Sequence, residues 1–211
     1  MGNLLPLRQS PRPDGPIAAF DFDGTLTVRD SFMAFLIWES GPLRAAVRLL
    51  RLAPAALAYL AHRDRGRIKA AALKAFLHGK PLSWARERAQ IFATEAHLPL
   101  RPDALACWEA WRARGARMAI VSASPEFVVA PFAERLGADR LIATQIETDT
   151  EGRITGALLG RNCRGPEKVA RIRQEFGPDV RLEAAYGDTA GDREMLALAR
   201  TAGMKVFTGR P

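Results

Sequence analysis

Two carboxylates, Asp21 and Asp23, stand one residue apart at the end of the short apolar run Ile17–Phe20. Two acids that close repel each other unless a cation sits between them or a proton is shared. The run reads as a buried strand, with the turn formers Pro16 before it and Gly24 after it. Open α/β sheets bind ligands beyond the carboxyl ends of their strands. In extended chain, residues i and i+2 point the same way, so both acids can face one site. Further groups of chemical use recur at comparable places: Ser122 after the apolar run 117–121, Lys168 at the start of a predicted helix, and Asp188 with Asp192 in Gly187-Asp188-Thr189-Ala190-Gly191-Asp192. Carboxylates suit a hard cation, a hydroxyl beside helix-start amides suits an anion, and a lysine supplies charge. Phosphoryl transfer needs that combination, because the phosphate must be held and its charge neutralised while a nucleophile attacks in line. Asp21 and Asp188 suit Mg²⁺, which is held by one or two carboxylates together with substrate phosphate. Gly24 permits close approach of backbone to a phosphate, and the amides after Asp21 can form an anion nest.

These residues need a scaffold, and the rest of the chain reads as one. After the first strand, four helical stretches follow: 31–40, capped by Ser31; 43–60, with a kink at Pro54; 66–78; and 83–97. Strand and helix then alternate. The pattern predicts a helix over 103–114 and a strand over 117–121. A helix to Leu136 follows, with Ser124 as its cap and Pro125 at its first position. Next come strands over 141–148 and 153–159 joined as a hairpin, a helix over 167–176, a strand over 180–186, a helix over 193–200 and a last strand over 205–207. Such alternation argues for a parallel sheet with helices on both faces. The domain expectation is a lead-in over residues 1–16, an α/β core over 17–30 and 101–211, and a helical insert over 31–100.

Charge separates the two parts. The net charge is +8; Arg29 to Arg101 holds 13 Lys or Arg against 5 Asp or Glu, while the rest of the chain holds 18 of each. The whole excess lies in the insert, so its partner is expected to be anionic. Arg44, Arg48 and Arg51 share one helix face, beside apolar Leu43, Val47 and Leu50. Two readings of this helix stay open: it lies in a membrane interface, or it packs its apolar face inward and solvates its arginines. Nucleic acid is not expected, because no aromatic-interleaved basic patch is present. Cys107 and Cys163 lie far apart and suggest no disulfide framework, which points to a reducing compartment. Cys163 lacks a His partner and reads as a packing residue. His62, His78 and His97 have no metal-ligand spacing. No stretch reaches the roughly 18 apolar residues of a membrane span. The lead-in lacks the apolar core of a secretory signal, and Pro6 stands where a myristoylation signal has Ser or Thr.

Taken in order, Asp21-Phe22-Asp23-Gly24-Thr25-Leu26-Thr27, Val121-Ser122-Ala123-Ser124, Lys168 and Gly187-Asp188-Thr189-Ala190-Gly191-Asp192 resemble the four motifs of the haloacid dehalogenase superfamily of Mg²⁺-dependent phosphatases. The insert resembles the helical C1 cap of the phosphoserine-phosphatase-like branch. The resemblance implies a Rossmann-like α/β core carrying an inserted all-helical cap. It implies Asp21 as nucleophile, forming an aspartyl-phosphate, and Asp23 as the acid and base. Mg²⁺ would be held by the carboxylates of Asp21 and Asp188 and the backbone carbonyl of Asp23. Ser122, Ala123, Lys168 and Gly24 would bind the phosphoryl group, and Asp192 would support the metal site or orient Lys168.

Several residues depart from the phosphoserine phosphatase pattern. Gly24 replaces its usual Ser, Gly191 replaces its usual Asn, and Asp30 is shorter than the acid expected to hold the serine amine. The run Arg161-Asn162-Cys163-Arg164-Gly165-Pro166-Glu167-Lys168 resembles phosphatidylglycerophosphatase C-type proteins. The expected activity is therefore Mg²⁺-dependent hydrolysis of a phosphomonoester, with an anionic lipid phosphate such as phosphatidylglycerophosphate as substrate. A small-metabolite phosphatase of the phosphoserine type, or transfer to an alcohol, is the alternative. The expected location is the cytoplasm, with peripheral contact at the inner membrane face through the basic insert.

Overall fold

A computed structural model describes residues 15–50, 65–95 and 98–210. Five parallel strands form the main sheet, in the order β3-β2-β1-β6-β7. They are β1 (Ile17–Phe20), β2 (Arg117–Pro125), β3 (Arg140–Thr144), β6 (Leu182–Gly187) and β7 (Ala199–Met204). β4 (Ile146–Thr148) and β5 (Ile154–Leu158) make a separate antiparallel pair. Every residue of β1 is buried, as befits a central parallel strand covered on both faces. The period of two divides its side chains between the faces. Ala18 and Phe20 join one core with Met118, Ile120, Ala184 and Tyr186, and Ile17 and Ala19 join the other with Val121, Ile172, Met195 and Leu196.

Among the described residues the helices are α1 (Ser31–Ser40), α2 (Pro42–Leu50), α3 (Arg65–Leu77), α4 (Leu82–Glu95) and α5 (Pro102–Ala113) between β1 and β2, then α6 (Glu126–Leu136), α7 (Pro166–Phe176) and the single turn α8 (Arg193–Leu196). The insert has no separate core. Phe35 of α1 meets Phe127 of α6 edge to face at 5.5 Å, Phe92 of α4 meets Phe132 at 6.0 Å, and α3 packs along β5. One apolar cluster runs from the sheet into the insert, so the insert's position over the strand ends is set by packing. β1 lies between β2 and β6: the chain runs outward from β1 through β2 to β3, then crosses back past β1 to β6 and on to β7 at the other edge. The carboxyl end of β1 is therefore the switch point where α/β sheets hold ligands.

Several element readings change. β2 runs on to Pro125, and α6 begins at Glu126 with no side-chain cap, so Ser124 is not an N-cap. Asp30 caps α1 by accepting from the Met33 amide at 2.8 Å; Ser31 is its first residue. The expected strand 141–148 splits at Gln145, because β3 stays in the main sheet while β4 turns to pair with β5. The last strand is 199–204, not 205–207, and the preceding helix is one turn. In α2, Ala45 is buried and Leu49 packs against the core, whereas Leu43, Val47 and Leu50 are exposed. The inward-packed reading of those three is therefore not what the fold adopts. Arg51, Pro54, His62, His97 and the lead-in up to residue 14 lie outside the described residues. Among the described residues, no helix is long and apolar enough to cross a membrane.

Candidate active site

The chain leaves β1 through the irregular turn Phe22–Leu26, in which Gly24 takes φ 80°. Asp21 is the first residue past the strand. It is buried, and its carboxylate meets the Lys168 ammonium from α7 at 2.6 Å. Lys168 is only 1% exposed, and its Nζ donates to Asp21 Oδ1, Asp192 Oδ1 and the Val121 carbonyl, each at 2.6 Å. All three of its protons are therefore used. Burial works against that charge, but the two carboxylates hold Lys168 above the usual lysine value.

One ammonium between two buried carboxylates leaves a net negative charge out of water. Burial, with a further push from Asp192, raises Asp21 to about 7 despite Lys168. Asp188 is also raised, first by burial and then by Asp192. Its Oδ1 is buried with no hydrogen-bond partner among the described residues. Asp192 differs. Burial works to raise it, yet Lys168 and the amide and hydroxyl of Thr189 hold it below the usual carboxylate range. Its Oδ2 also accepts from the Asp188 amide at 3.2 Å.

Carboxylate oxygens of Asp21, Asp188 and Asp192 lie within 4.8 Å of one another. Because Asp192 is already committed to four donors, the oxygens left for a cation are those of Asp21 and Asp188. A hard divalent ion fits this set: oxygen donors, uncompensated negative charge and an orphaned oxygen. Gly24 is part of the fit, since a Cβ there would lie 2.2 Å from Asp188 Oδ2. Its lack of a side chain makes room for that carboxylate, a use its sequence position alone does not show.

Asp23 sits in the turn, past the strand, and faces the same cleft. Its Oδ1 accepts from the Ser31 amide at 2.7 Å, and its Oδ2 accepts from the Ser124 hydroxyl. Burial, helped by the nearby charge of Asp30, raises Asp23 to about 6. That value leaves it able both to give and to take a proton near neutrality. The cleft has a volume of about 380 Å³. Asp21, Asp23, Asp30, Ala123, Lys168, Asp188 and Asp192 all line it, whereas Ser122 is fully buried beside it and its hydroxyl accepts from the Ser124 amide at 3.0 Å.

Reading the sequence missed Ser124, Lys69, Asn162 and Arg164. Lys69, on α3, crosses to the sheet, donating to the Ala123 carbonyl and to Asn162 Oδ1. Burial lowers its pKa to about 8. Thr144 ties the same corner together: its hydroxyl lies 2.7 Å from the Ala123 carbonyl and accepts from the Cys163 amide at 3.0 Å. Arg164 donates to Thr189 Oγ1 at 3.1 Å, and a Cβ on Gly191 would fall 2.4 Å from its guanidinium carbon. Gly191 thus leaves the space that Arg164 fills. Cys163 is a packing residue, fully buried, its thiol pushed up to about 11 by burial.

Comparison with known proteins identifies the family and matches the fold. Residues 18–197 match the haloacid dehalogenase-like hydrolase family. Protein CicA of Caulobacter vibrioides is 56% identical over 197 residues, spanning 92% of this chain and 88% of its own. Among solved structures, a protein with unknown function from Bordetella pertussis Tohama I superposes with a TM-score of 0.74 at 23% identity, covering 89% of this chain and 88% of its own. A phospho-aspartyl intermediate analogue of phosphoserine phosphatase gives 0.59 at 21% identity, covering 89% and 85%.

Proposed function

The chain belongs to the haloacid dehalogenase-like hydrolase family, and from that premise we propose that it is a Mg²⁺-dependent phosphomonoesterase working through an aspartyl-phosphate. The observation that carries the reading is the buried set Asp21–Lys168–Asp192 with the orphaned oxygen of Asp188 beside it. Asp21 and Asp188 would hold Mg²⁺, which when bound supplies charge neutralisation to the phosphoryl oxygens.

In the first half-reaction an Asp21 carboxylate oxygen bonds to phosphorus, the bond to the ester oxygen breaks, and Asp23 gives its proton to the departing alkoxide. In the second half Asp23 takes a proton from water as the water oxygen attacks phosphorus. The bond to Asp21 then breaks and inorganic phosphate leaves. Lys168 holds Asp21 in line and offsets charge throughout, while Asp192 fixes Lys168. The amide and hydroxyl held on Asp23 by Ser31 and Ser124 keep its carboxyl on the leaving-group side.

The substrate class we favour is a phosphate monoester on an anionic lipid, such as phosphatidylglycerophosphate. The insert lines the cleft with Phe32, Met33, Ile68 and Ala72 and also with the cations Arg65 and Lys69, a lining suited to a molecule both apolar and acidic. The test is hydrolysis of an aryl phosphate with and without Mg²⁺, followed by a comparison of a lysolipid phosphate with phosphoserine. Asp21→Asn is expected to abolish turnover with every substrate. Turnover retained in that variant refutes the nucleophile assignment, and faster turnover of phosphoserine than of the lipid refutes the substrate class.

A further inference from the structure

α2 is built with its amphipathicity reversed relative to the fold. The residues it turns inward are Ala45, buried, and Leu49, packed against the core. Leu43, Val47 and Leu50, at i, i+4 and i+7, are 84%, 57% and 74% exposed. At roughly 100° per residue these three form one stripe, centred about 150° away from the Ala45–Leu49 side. A lone exposed leucine means nothing, but a stripe of three on one helix, turned away from the core, needs a partner.

Charge identifies that partner. Arg44 flanks the stripe along one edge, Arg48 lies farther round toward the packed side, and all four residues Leu43, Arg44, Val47 and Arg48 border one shallow groove. Arg48 is anchored by Ser40 at 3.0 Å and lies over the Phe76 ring at 5.5 Å. Lys80 lies within electrostatic reach of Arg48 and Arg88; the acidic neighbour Glu39 is taken by Arg88 at 2.6 Å. The net charge of the whole chain, +8, is carried between Arg29 and Arg101, the segment that contains this helix. An apolar stripe edged by Arg44 within a strongly cationic segment is complementary to one surface above others: acyl chains under anionic headgroups.

We propose that the outer face of α2 docks this protein on an anionic lipid bilayer, with Leu43, Val47 and Leu50 entering the acyl boundary and Arg44 at headgroup level. α2 packs on α1 and α3, the two helices that supply Phe32, Met33, Arg65, Ile68 and Lys69 to the cleft. Docking there would bring the helices that line the cleft to the bilayer, which deepens the lipid-phosphate reading without depending on it.

The test is co-sedimentation with phosphatidylcholine vesicles made with and without phosphatidylglycerol, at low and high salt. The wild-type chain is expected to bind the anionic vesicles and to be released by salt. The combined variant Leu43→Gln, Val47→Gln, Leu50→Gln is expected to lose about tenfold or more in partitioning, with aryl-phosphate hydrolysis unchanged. Leu43→Gln alone, at the most exposed position, shows a smaller loss and keeps the test open if the combined variant does not fold. Indifference of the wild type to phosphatidylglycerol overturns the proposal, as does undiminished binding by the variants. A wild-type dimer that the combined variant splits also overturns it, by assigning the stripe to a second copy. Vesicle binding without any phosphatase activity would refute the chemistry and leave the docking surface standing; the converse result would do the reverse.

Discussion

Replacing Lys168 by Met tests the site's electrostatics and its fold together. Methionine fills nearly the same volume, so the loss is one of charge and hydrogen bonds. The wild-type ammonium donates three bonds of 2.6 Å, to Asp21, Asp192 and Val121. Both carboxylates are buried, and without the lysine they face each other across the space it held. Removing one partner of a buried ion pair costs about 3–5 kcal/mol, because the other is left charged and unpaired. Domains of this kind have only about 5–15 kcal/mol in total. At roughly 2–4 °C per kcal/mol for a chain of this size, the melting temperature should fall by on the order of 10 °C. The measurements are thermal melting and urea unfolding, both in the presence of a chelator, so that no cation takes over the lysine's part. An unchanged slope against denaturant would show that the same surface is exposed on unfolding. In the same variant kcat should fall by about 10²–10³-fold, the range seen when a preorganised charge is removed from a transition state. A variant that melts within about 2 °C of wild type, equivalent to at most about 1 kcal/mol, would refute the argument that Lys168 holds two buried charges together.

Two further variants probe residues that line the cleft. Ser124→Ala removes the hydroxyl that donates to Asp23. A hydrogen bond to a charged group is worth about 1.5–3 kcal/mol, so kcat should drop by about 10- to 100-fold while Ser124→Thr recovers most of it; equal loss in both would make the role one of packing. Lys69→Met concerns pH. With its pKa lowered from 10.5 to about 8 by burial, Lys69 is charged below about 8 and neutral above it. If its charge attracts an anionic substrate, kcat/KM falls as pH rises through about 8 in wild type, whereas Lys69→Met is lower at neutral pH and lacks that limb. Persistence of the limb in the variant would assign it to another group.

Much of this site is legible in sequence because its parts lie at strand ends. An apolar run stopping at Asp21, and a glycine-bounded Gly187-Asp188 after another run, are local signals, and the parallel sheet brings them together without further instruction. What stays hidden depends on which of two local rules wins. Ser124-Pro125 has the composition of a helix start, but β2 continues through it, and the serine hydroxyl is then free to turn to Asp23 instead of capping α6. Ser31 and Asp30 are both good caps; Asp30 takes the role by accepting from the Met33 amide, while the Ser31 amide goes to Asp23. β7 reads poorly because Ala199-Arg200-Thr201-Ala202-Gly203-Met204 has little strand character. It forms as an edge strand by backbone pairing to β6, where a Cβ at Gly203 would fall 2.5 Å from the Tyr186 ring. Lys69 could not be singled out at all: one lysine among the 13 basic residues of its segment has no local mark. In α2 the periodicity reveals two faces, but only packing decides which one turns inward.

The neutral half of the chain is not neutral where the chemistry lies. Its 18 acidic and 18 basic residues balance overall, yet the core presents Asp21, Asp23, Asp188 and Asp192 to the cleft, with Lys168 and Arg164 as its cations there. Arg164 is turned to Thr189, and Lys168 is consumed by two of the four acids. The core alone therefore holds excess negative charge at the point where a phosphate dianion must arrive. Two things can correct that imbalance: a divalent cation at Asp21 and Asp188, and positive charge brought from outside the core. The basic insert brings it, for Arg65 and Lys69 line the same cleft and Lys69 is bonded to the core at Ala123 and Asn162. The separation of charge along the sequence thus becomes, in the folded chain, a complementarity across the cleft, and the positive charge left over on the outer side of α2 is available for a second anionic surface.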